Sequence, residues 1–249
     1  MLRRVKNVLP PFLMLLALVA CGRSSSRAEP GRPLAYIERV INAAPDATLP
    51  MLIVLHGLGG SPEEFIEVFA GLDMPLRIIA PRAPDTEEQG KSWFPIDEPR
   101  LAPQGIVRRA ELVAQLTDKL VLTRPTQGRP IVTGFSQGGI LSFALAAYHP
   151  ASFQAALPMA GALLDSLPRY QRAPDDFHVA AFHGVKDERV PYDGDQRTIA
   201  RLKAVGTEAT LTSFPGLGHT MPQEMLRPLF VALKSELARS PKLARNPPL

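Results

Sequence analysis

Residues 131–139 read Ile-Val-Thr-Gly-Phe-Ser-Gln-Gly-Gly, and they are the most informative pattern in the chain. A short apolar run ends in a Gly-x-Ser-x-Gly pattern, and the apolar residues 140–147 that follow are typical of a helix. Where a strand, a sharp turn and a helix surround this pattern, the serine sits on a strained turn with its hydroxyl exposed at the carboxyl end of a sheet. The alternative is a chance match, but the flanking elements favour a nucleophilic Ser136.

A serine hydroxyl near its free pKa is a weak nucleophile, so it needs a base, and the base needs an orienting acid. His219 follows a predicted strand at 210–214 within Gly-Leu-Gly-His, late in the chain, where small neighbours let an imidazole approach the turn. We therefore predict His219 as the base, with a structural loop histidine as the alternative. The other four histidines have structural interpretations: His56 and His183 in turns at strand ends, His149 at a helix end, and His178 within a strand.

The orienting acid is predicted to be Asp187. It follows the predicted strand 177–182, and the order serine, acid, histidine is the one that this type of turn uses. Asp187 also stands shortly before Val190-Pro191, where the next helix begins. A solvated loop carboxylate is the alternative, and the other candidates for the acid are Glu188, Asp165 and Asp193.

Acyl chemistry also needs donors for a tetrahedral oxyanion. One donor is predicted to be the backbone N–H of Gln137, the residue after the nucleophile, and the other the backbone N–H of Leu58, in the loop after the strand Met51–Leu55.

Strands alternate with helices along the chain, which predicts an α/β fold with a mostly parallel, doubly wound sheet and helices on both faces. Residues 34–42 are predicted as an edge strand, and residues 81–102 as a long loop with no clear period. The predicted domain spans 34–240, and residues 241–249 are a loose tail.

The N-terminus is predicted to be a targeting segment. Arg3, Arg4 and Lys6 precede an apolar run at 12–20 that is too short to span a bilayer. Leu-Val-Ala before Cys21 resembles the lipobox of bacterial lipoproteins, which implies a signal peptide at 1–20, a lipidated Cys21 and a linker at 21–33. We therefore expect an exported, membrane-anchored lipoprotein; an ordinary secretory signal with a stray cysteine is the alternative.

Charge and composition exclude some partners. The formal net charge is +4, and three of the 28 basic residues stand in the N-terminal segment, so the charges of the remaining chain nearly balance. Without a basic stripe interleaved with aromatic residues, nucleic acid is not an expected partner. No histidine pair has metal-ligand spacing on a helix, so neither a metal nor a cofactor is expected.

Together these motifs resemble the phospholipase/carboxylesterase family of α/β-hydrolases, the group that includes the acyl-protein thioesterases. The matching stretches, in order, are Leu55–Gly59, Pro81–Pro84, Ser92–Phe94, Gly134–Gly139, His183–Gly184 with Asp187 and Val190–Pro191, and Pro215–His219. Ile140 and the pair Glu188-Arg189 depart from the family pattern.

The resemblance implies the α/β-hydrolase fold without a large cap domain, and a small-molecule ester or thioester of an acyl chain as substrate. It also implies that Trp93 and Phe94 line an acyl-binding groove; the alternative is a loop anchored into the core. Two other functions stay open, an exported polyester depolymerase or feruloyl-type esterase and a surface lipoprotein that keeps the fold only as a binding scaffold.

Overall fold

The computed structural model of the protein describes residues 33–87, 90–95 and 102–239. The predicted signal peptide, Cys21 with all but the last residue of its linker, and the predicted tail lie outside the described residues.

A seven-stranded sheet forms the centre of the domain. Its strands are β1 (Tyr36–Ile41), β2 (Met51–Leu55), β3 (Leu76–Pro81), β6 (Ile131–Phe135), β7 (Ala155–Met159), β8 (His178–Gly184) and β9 (Glu208–Phe214). They lie in the order β1-β3-β2-β6-β7-β8-β9. All neighbouring strands are parallel except β1, the predicted edge strand, which runs antiparallel to β3.

Within the described residues, five α-helices cover the two faces of the sheet: α1 (Pro62–Ala70), α2 (Ala102–Thr123), α3 (Gln137–Tyr148), α4 (Tyr192–Ala204) and α5 (Gln223–Arg239). Alternate side chains of the strands divide the core into two clusters. In β2, Met51, Ile53 and Leu55 pack on the side of α2, α3 and α4, whereas Leu52 and Val54 pack on the side of α1 and α5. The prediction of a mostly parallel sheet with helices on both faces is confirmed. No helix in the described part of the chain is long and apolar enough to cross a bilayer.

The segment predicted as a loop without a period is more ordered than expected. It contains a small antiparallel hairpin, β4 (Asp85–Glu87) with β5 (Gly90–Ser92). Strands of three residues are too short to show alternation, so the sequence pattern could not identify them. The hairpin brings Lys91 against the loop after β2, where the Gly59 N–H donates to the Lys91 carbonyl at 2.8 Å.

Candidate active site

Ser136 occupies the turn between β6 and α3 in a backbone conformation that L residues rarely adopt, with φ 58° and ψ −119°. Its N–H donates to the Met159 carbonyl of β7 at 3.1 Å. The turn brings α3 against β2 so closely that a Cβ at Gly138 would lie 1.9 Å from the Leu55 carbonyl oxygen. A side chain at this position is therefore incompatible with the turn, and the strain at Ser136 is held by the packing around it.

The structure brings the three predicted side chains into one hydrogen-bonded chain. His219 Nε2 lies 2.9 Å from Ser136 Oγ, and His219 Nδ1 lies 2.7 Å from Asp187 Oδ2. Since an ionised carboxylate can only accept, Nδ1 carries the proton and Nε2 is left to accept from the serine hydroxyl. The Phe135 ring packs against the imidazole with a centroid distance of 4.9 Å. His219 is thus in the tautomer that a general base for Ser136 requires.

Asp187 is fixed by its own loop after β8. Its side chain has no exposed surface, and Oδ1 accepts the N–H groups of Arg189 and Val190, both at 2.9 Å. The other candidates for the acid lie elsewhere: Glu188 is exposed, and Asp165 and Asp193 both pair with Arg197.

The two predicted oxyanion donors lie on elements that meet at Ser136. Gln137 is the first residue of α3, and the first N–H groups of a helix have no intrahelical partner. The loop that carries Leu58 lies against the turn, since a Cβ at Gly57 would be 3.3 Å from Ser136 Cβ. After Leu58 the loop is held by two hydrogen bonds: the Gly59 N–H donates to the Lys91 carbonyl, and the Gly60 N–H donates to the Gly57 carbonyl. Such a pair of main-chain donors suits a developing oxyanion.

A buried network behind the turn was not foreseen from the sequence. The Gln137 side chain accepts the Trp93 N–H at 2.9 Å and donates to the Phe94 carbonyl at 2.9 Å. The indole N–H of Trp93 in turn donates to the His56 carbonyl at 2.8 Å. The loop after β5 is therefore tied both to the residue after the nucleophile and to the loop that carries Leu58. The sequence offered one signal for this network: the residue after the nucleophile, Gln137, has a long side chain whose amide can both donate and accept.

Trp93 has no exposed surface and Phe94 is 4% exposed, so both side chains belong to the core. Of the two interpretations of Trp93, burial favours the core anchor over the wall of an open groove. Phe94 also borders a cavity of about 260 Å³ together with Pro95, Gly105 and Arg108, so its role in substrate binding stays a prediction.

His56 has the structural role predicted for it. Its Nδ1 lies 2.8 Å from the Gly57 carbonyl, and its Nε2 accepts the Ala83 N–H at 3.2 Å. Burial lowers the pKa of this imidazole, with a smaller contribution from the positive charge of Arg82. His183 is also hydrogen-bonded, as predicted, but it is the penultimate residue of β8 and not part of the turn that follows.

Comparisons with known proteins show the family of this chain. The phospholipase/carboxylesterase family matches residues 37–235. A protein of Oryza sativa subsp. japonica named a probable carboxylesterase is 26% identical over 208 residues, which are 74% of this chain and 87% of that protein.

Solved structures share the fold. The Bacillus cereus carboxylesterase superposes with a TM-score of 0.71 at 13% identity, over 82% of this chain and 94% of its own. Zea mays acyl-protein thioesterase 2 superposes with a TM-score of 0.61 at 22% identity, over 81% of this chain and 99% of its own. The domain therefore has the α/β-hydrolase fold.

Proposed function

We propose that this chain, which belongs to the phospholipase/carboxylesterase family, is a serine hydrolase of small carboxylic esters or thioesters. The observation that carries the proposal is the chain from Ser136 Oγ through His219 to Asp187, with links of 2.9 and 2.7 Å. A binding scaffold would have no need for a strained serine, an imidazole in the accepting tautomer and a buried carboxylate in contact.

The reaction uses these groups in two half-reactions. Ser136 Oγ attacks the acyl carbon as its proton moves to His219 Nε2, and the backbone N–H groups of Leu58 and Gln137 stabilise the oxyanion. The intermediate collapses to an acyl-enzyme, and His219 returns the proton to the departing alcohol or thiol. Water then attacks the acyl carbon and gives a proton to His219. Collapse of the second intermediate releases the carboxylic acid, and the proton returns to Ser136 Oγ.

A fluorophosphonate probe tests the mechanism because it reacts with activated serines. We expect it to label the wild-type protein at Ser136 and to leave Ser136→Ala unlabelled. Ser142→Ala is the matched control, since this serine lies six residues further along, is buried in α3 and donates to the Gly138 carbonyl. Absence of labelling in both wild type and Ser142→Ala would overturn the mechanism and favour the binding scaffold.

The substrate class is tested with p-nitrophenyl esters of increasing acyl length and with thioesters of the same acyl groups. The name of the rice relative supports carboxylic esters, whereas that of the maize structural neighbour supports thioesters. We expect turnover of short esters to depend on Ser136. A lack of ester and thioester hydrolysis in a protein that the probe labels would overturn the substrate class and leave the serine mechanism standing.

We also propose that the protein is exported and anchored through a lipid on Cys21. The support is the sequence pattern before that residue, the only cysteine of the chain. Expressed in a bacterium with a fatty-acid analogue, the wild-type protein should take up the label and fractionate with membranes, whereas Cys21→Ser should do neither. An exported protein with an unmodified Cys21 would contradict the proposal.

A further inference from the structure

A second histidine–carboxylate pair lies directly behind the predicted triad acid. His183, at the end of β8, and Asp195, in α4, have side chains with no exposed surface. His183 Nδ1 lies 2.8 Å from Asp195 Oδ2. On the other side of the ring, His183 Nε2 lies 2.9 Å from the Val190 carbonyl oxygen and 3.3 Å from Asp187 Oδ2. Asp187 Oδ2 therefore lies between two imidazoles, His219 and His183.

The partners of the His183 ring determine where its protons are. The Val190 carbonyl can only accept, and so can the ionised carboxylate of Asp187, so Nε2 must carry a proton. A second proton lies between Nδ1 and Asp195 Oδ2, because two bare acceptors at 2.8 Å would repel each other. The pair therefore exists either as an imidazolium with a carboxylate or as a neutral ring with a carboxylic acid.

The charged groups around the ring favour the imidazolium. Asp195 faces it from α4 and Asp187 from the loop after β8, while Tyr192 of α4 presents only its ring, 5.8 Å away, and bonds Ser213 of β9 through its hydroxyl. Burial lowers the pKa of His183, but the bond to Asp195 and the charges of both carboxylates outweigh it, so that this pKa is raised. Burial also raises the pKa of Asp195, whose Oδ1 has no hydrogen-bond partner among the described residues. Because two carboxylates flank one ring, the shared proton favours His183.

We propose that His183 and Asp195 are a positioning pair, in which Asp195 holds His183 as an imidazolium whose Nε2–H faces the carboxylate of Asp187. The inference rests on the proposed serine-hydrolase function. The pair has two effects on Asp187: it adds a donor beside the oxygen that orients His219, and it offsets part of the negative charge of that oxygen. Asp187 therefore presents a smaller negative charge to His219 than an isolated carboxylate would.

The protonation state can be measured on the unmodified protein. In protein labelled with ¹⁵N-histidine, long-range ¹H–¹⁵N spectra distinguish protonated from bare ring nitrogens, and His183→Gln identifies the signals of His183. We expect both nitrogens of His183 to be protonated at neutral pH. A bare Nδ1 would mean that the proton lies on Asp195, and would overturn the proposal whether or not any variant folds.

Asp195→Asn tests the effect on the reaction. The amide can still bond Nδ1, but it leaves a neutral ring beside Asp187, so Asp187 presents its full charge to His219 and the acid limb of the kcat/KM profile should move to higher pH. We also expect kcat at neutral pH to fall severalfold with KM unchanged, because a neutral Nε2–H is a weaker donor than that of an imidazolium and holds Asp187 less firmly. Asp193→Asn is the matched control, because it removes an exposed carboxylate from the same helix and should change neither quantity.

Two failures are distinguishable. If the wild-type protein neither hydrolyses esters nor reacts with a fluorophosphonate, the serine-hydrolase function is wrong, and the role given to the pair falls with it. If the wild-type protein is active but Asp195→Asn keeps the wild-type acid limb, only the positioning pair is wrong.

Discussion

The Gln137 side chain accepts the backbone N–H of Trp93 at 2.9 Å, and this bond joins the first residue of α3 to the loop after β5. The same amide group donates to the Phe94 carbonyl, so one side chain satisfies two main-chain groups of a buried loop. Gln137 thus has two separate functions in the proposed mechanism: its backbone N–H donates to the oxyanion, and its side chain holds the loop after β5 against the turn.

Gln137→Ala should separate these two functions. The variant keeps the backbone N–H of residue 137 but leaves the Trp93 N–H buried without its acceptor, while the Phe94 carbonyl keeps only the Ser92 hydroxyl as a donor. We therefore expect the free energy of unfolding to fall by about 1–3 kcal/mol. Fluorophosphonate labelling of Ser136 should persist. Gln115→Ala, at an exposed position of α2 where the amide bonds Glu111, should leave stability within about 0.5 kcal/mol of wild type. Denaturant titration measures both, and equal stability of the two variants would contradict a structural role for the Gln137 amide.

Trp93→Phe tests whether the indole is a core anchor or a wall of the acyl groove. The change removes the N–H that donates to the His56 carbonyl and leaves that acceptor unpaired. As an anchor acts on the whole loop, kcat/KM should fall by a similar factor for p-nitrophenyl acetate and for esters of longer chains. A loss confined to the longer chains would show that the indole contacts the acyl group.

The sequence predicted those parts of the site that follow strands, and the reason is geometric. The carboxyl ends of parallel strands meet at one edge of a sheet, so Ser136 after β6, Asp187 after β8 and His219 after β9 converge once the strands are identified. Their chain order and small neighbours are local signals.

The supporting groups have no such local signal. Gln137 contacts a loop 44 positions earlier in the chain, and Asp195 contacts His183 from a helix 12 positions later. Their roles depend on the distance between elements rather than on a pattern within one element. For Trp93 the resemblance implied a groove and left a core-anchored loop as the alternative. The residue directly follows the hairpin β4–β5, which the sequence did not indicate, and it has no exposed surface.

The strain at Ser136 predicts an unusual ranking of two inactive variants. With φ at 58°, glycine fits this turn better than alanine, and relief of strain of about 1–3 kcal/mol exceeds the extra entropy of glycine in the unfolded chain, about 0.5–1 kcal/mol. Ser136→Gly should therefore be more stable than Ser136→Ala by about 1 kcal/mol in denaturant titrations. Neither variant should hydrolyse esters.

Ser142 provides the control for this ranking, because it lies in the interior of the following helix. There glycine is the poorer residue, so Ser142→Gly should be less stable than Ser142→Ala by about 1 kcal/mol. If alanine were the more stable residue at position 136 as well as at position 142, the turn at Ser136 would not be strained.

His56 predicts a loss of stability on acidification. Its Nε2 accepts the Ala83 N–H, so a proton at Nε2 would break this bond, and burial lowers the pKa of the ring in the folded protein. Below about pH 6.5, His56 binds a proton in the unfolded chain. In the folded protein it does so only at lower pH. The contribution of His56 is therefore present above that pH and lost as the pH falls, by up to about 1.4 kcal/mol per pH unit until the folded pKa is reached. Denaturant titrations between pH 7.5 and 5 measure this slope.

A glutamine at position 56 can still donate and accept but does not titrate, so His56→Gln should show a shallower slope than the wild-type protein. Burial lowers the pKa of His149 as well, so His149→Gln should also reduce the slope, and the double variant should reduce it further. His183 has the opposite effect on stability. Because its pKa is raised in the folded protein, its stabilising contribution is present at acidic pH and is lost as the pH rises through the folded pKa. If His56→Gln kept the full wild-type slope, the folded protein would have to accept a proton on His56, and Nε2 could not be the acceptor of the Ala83 N–H.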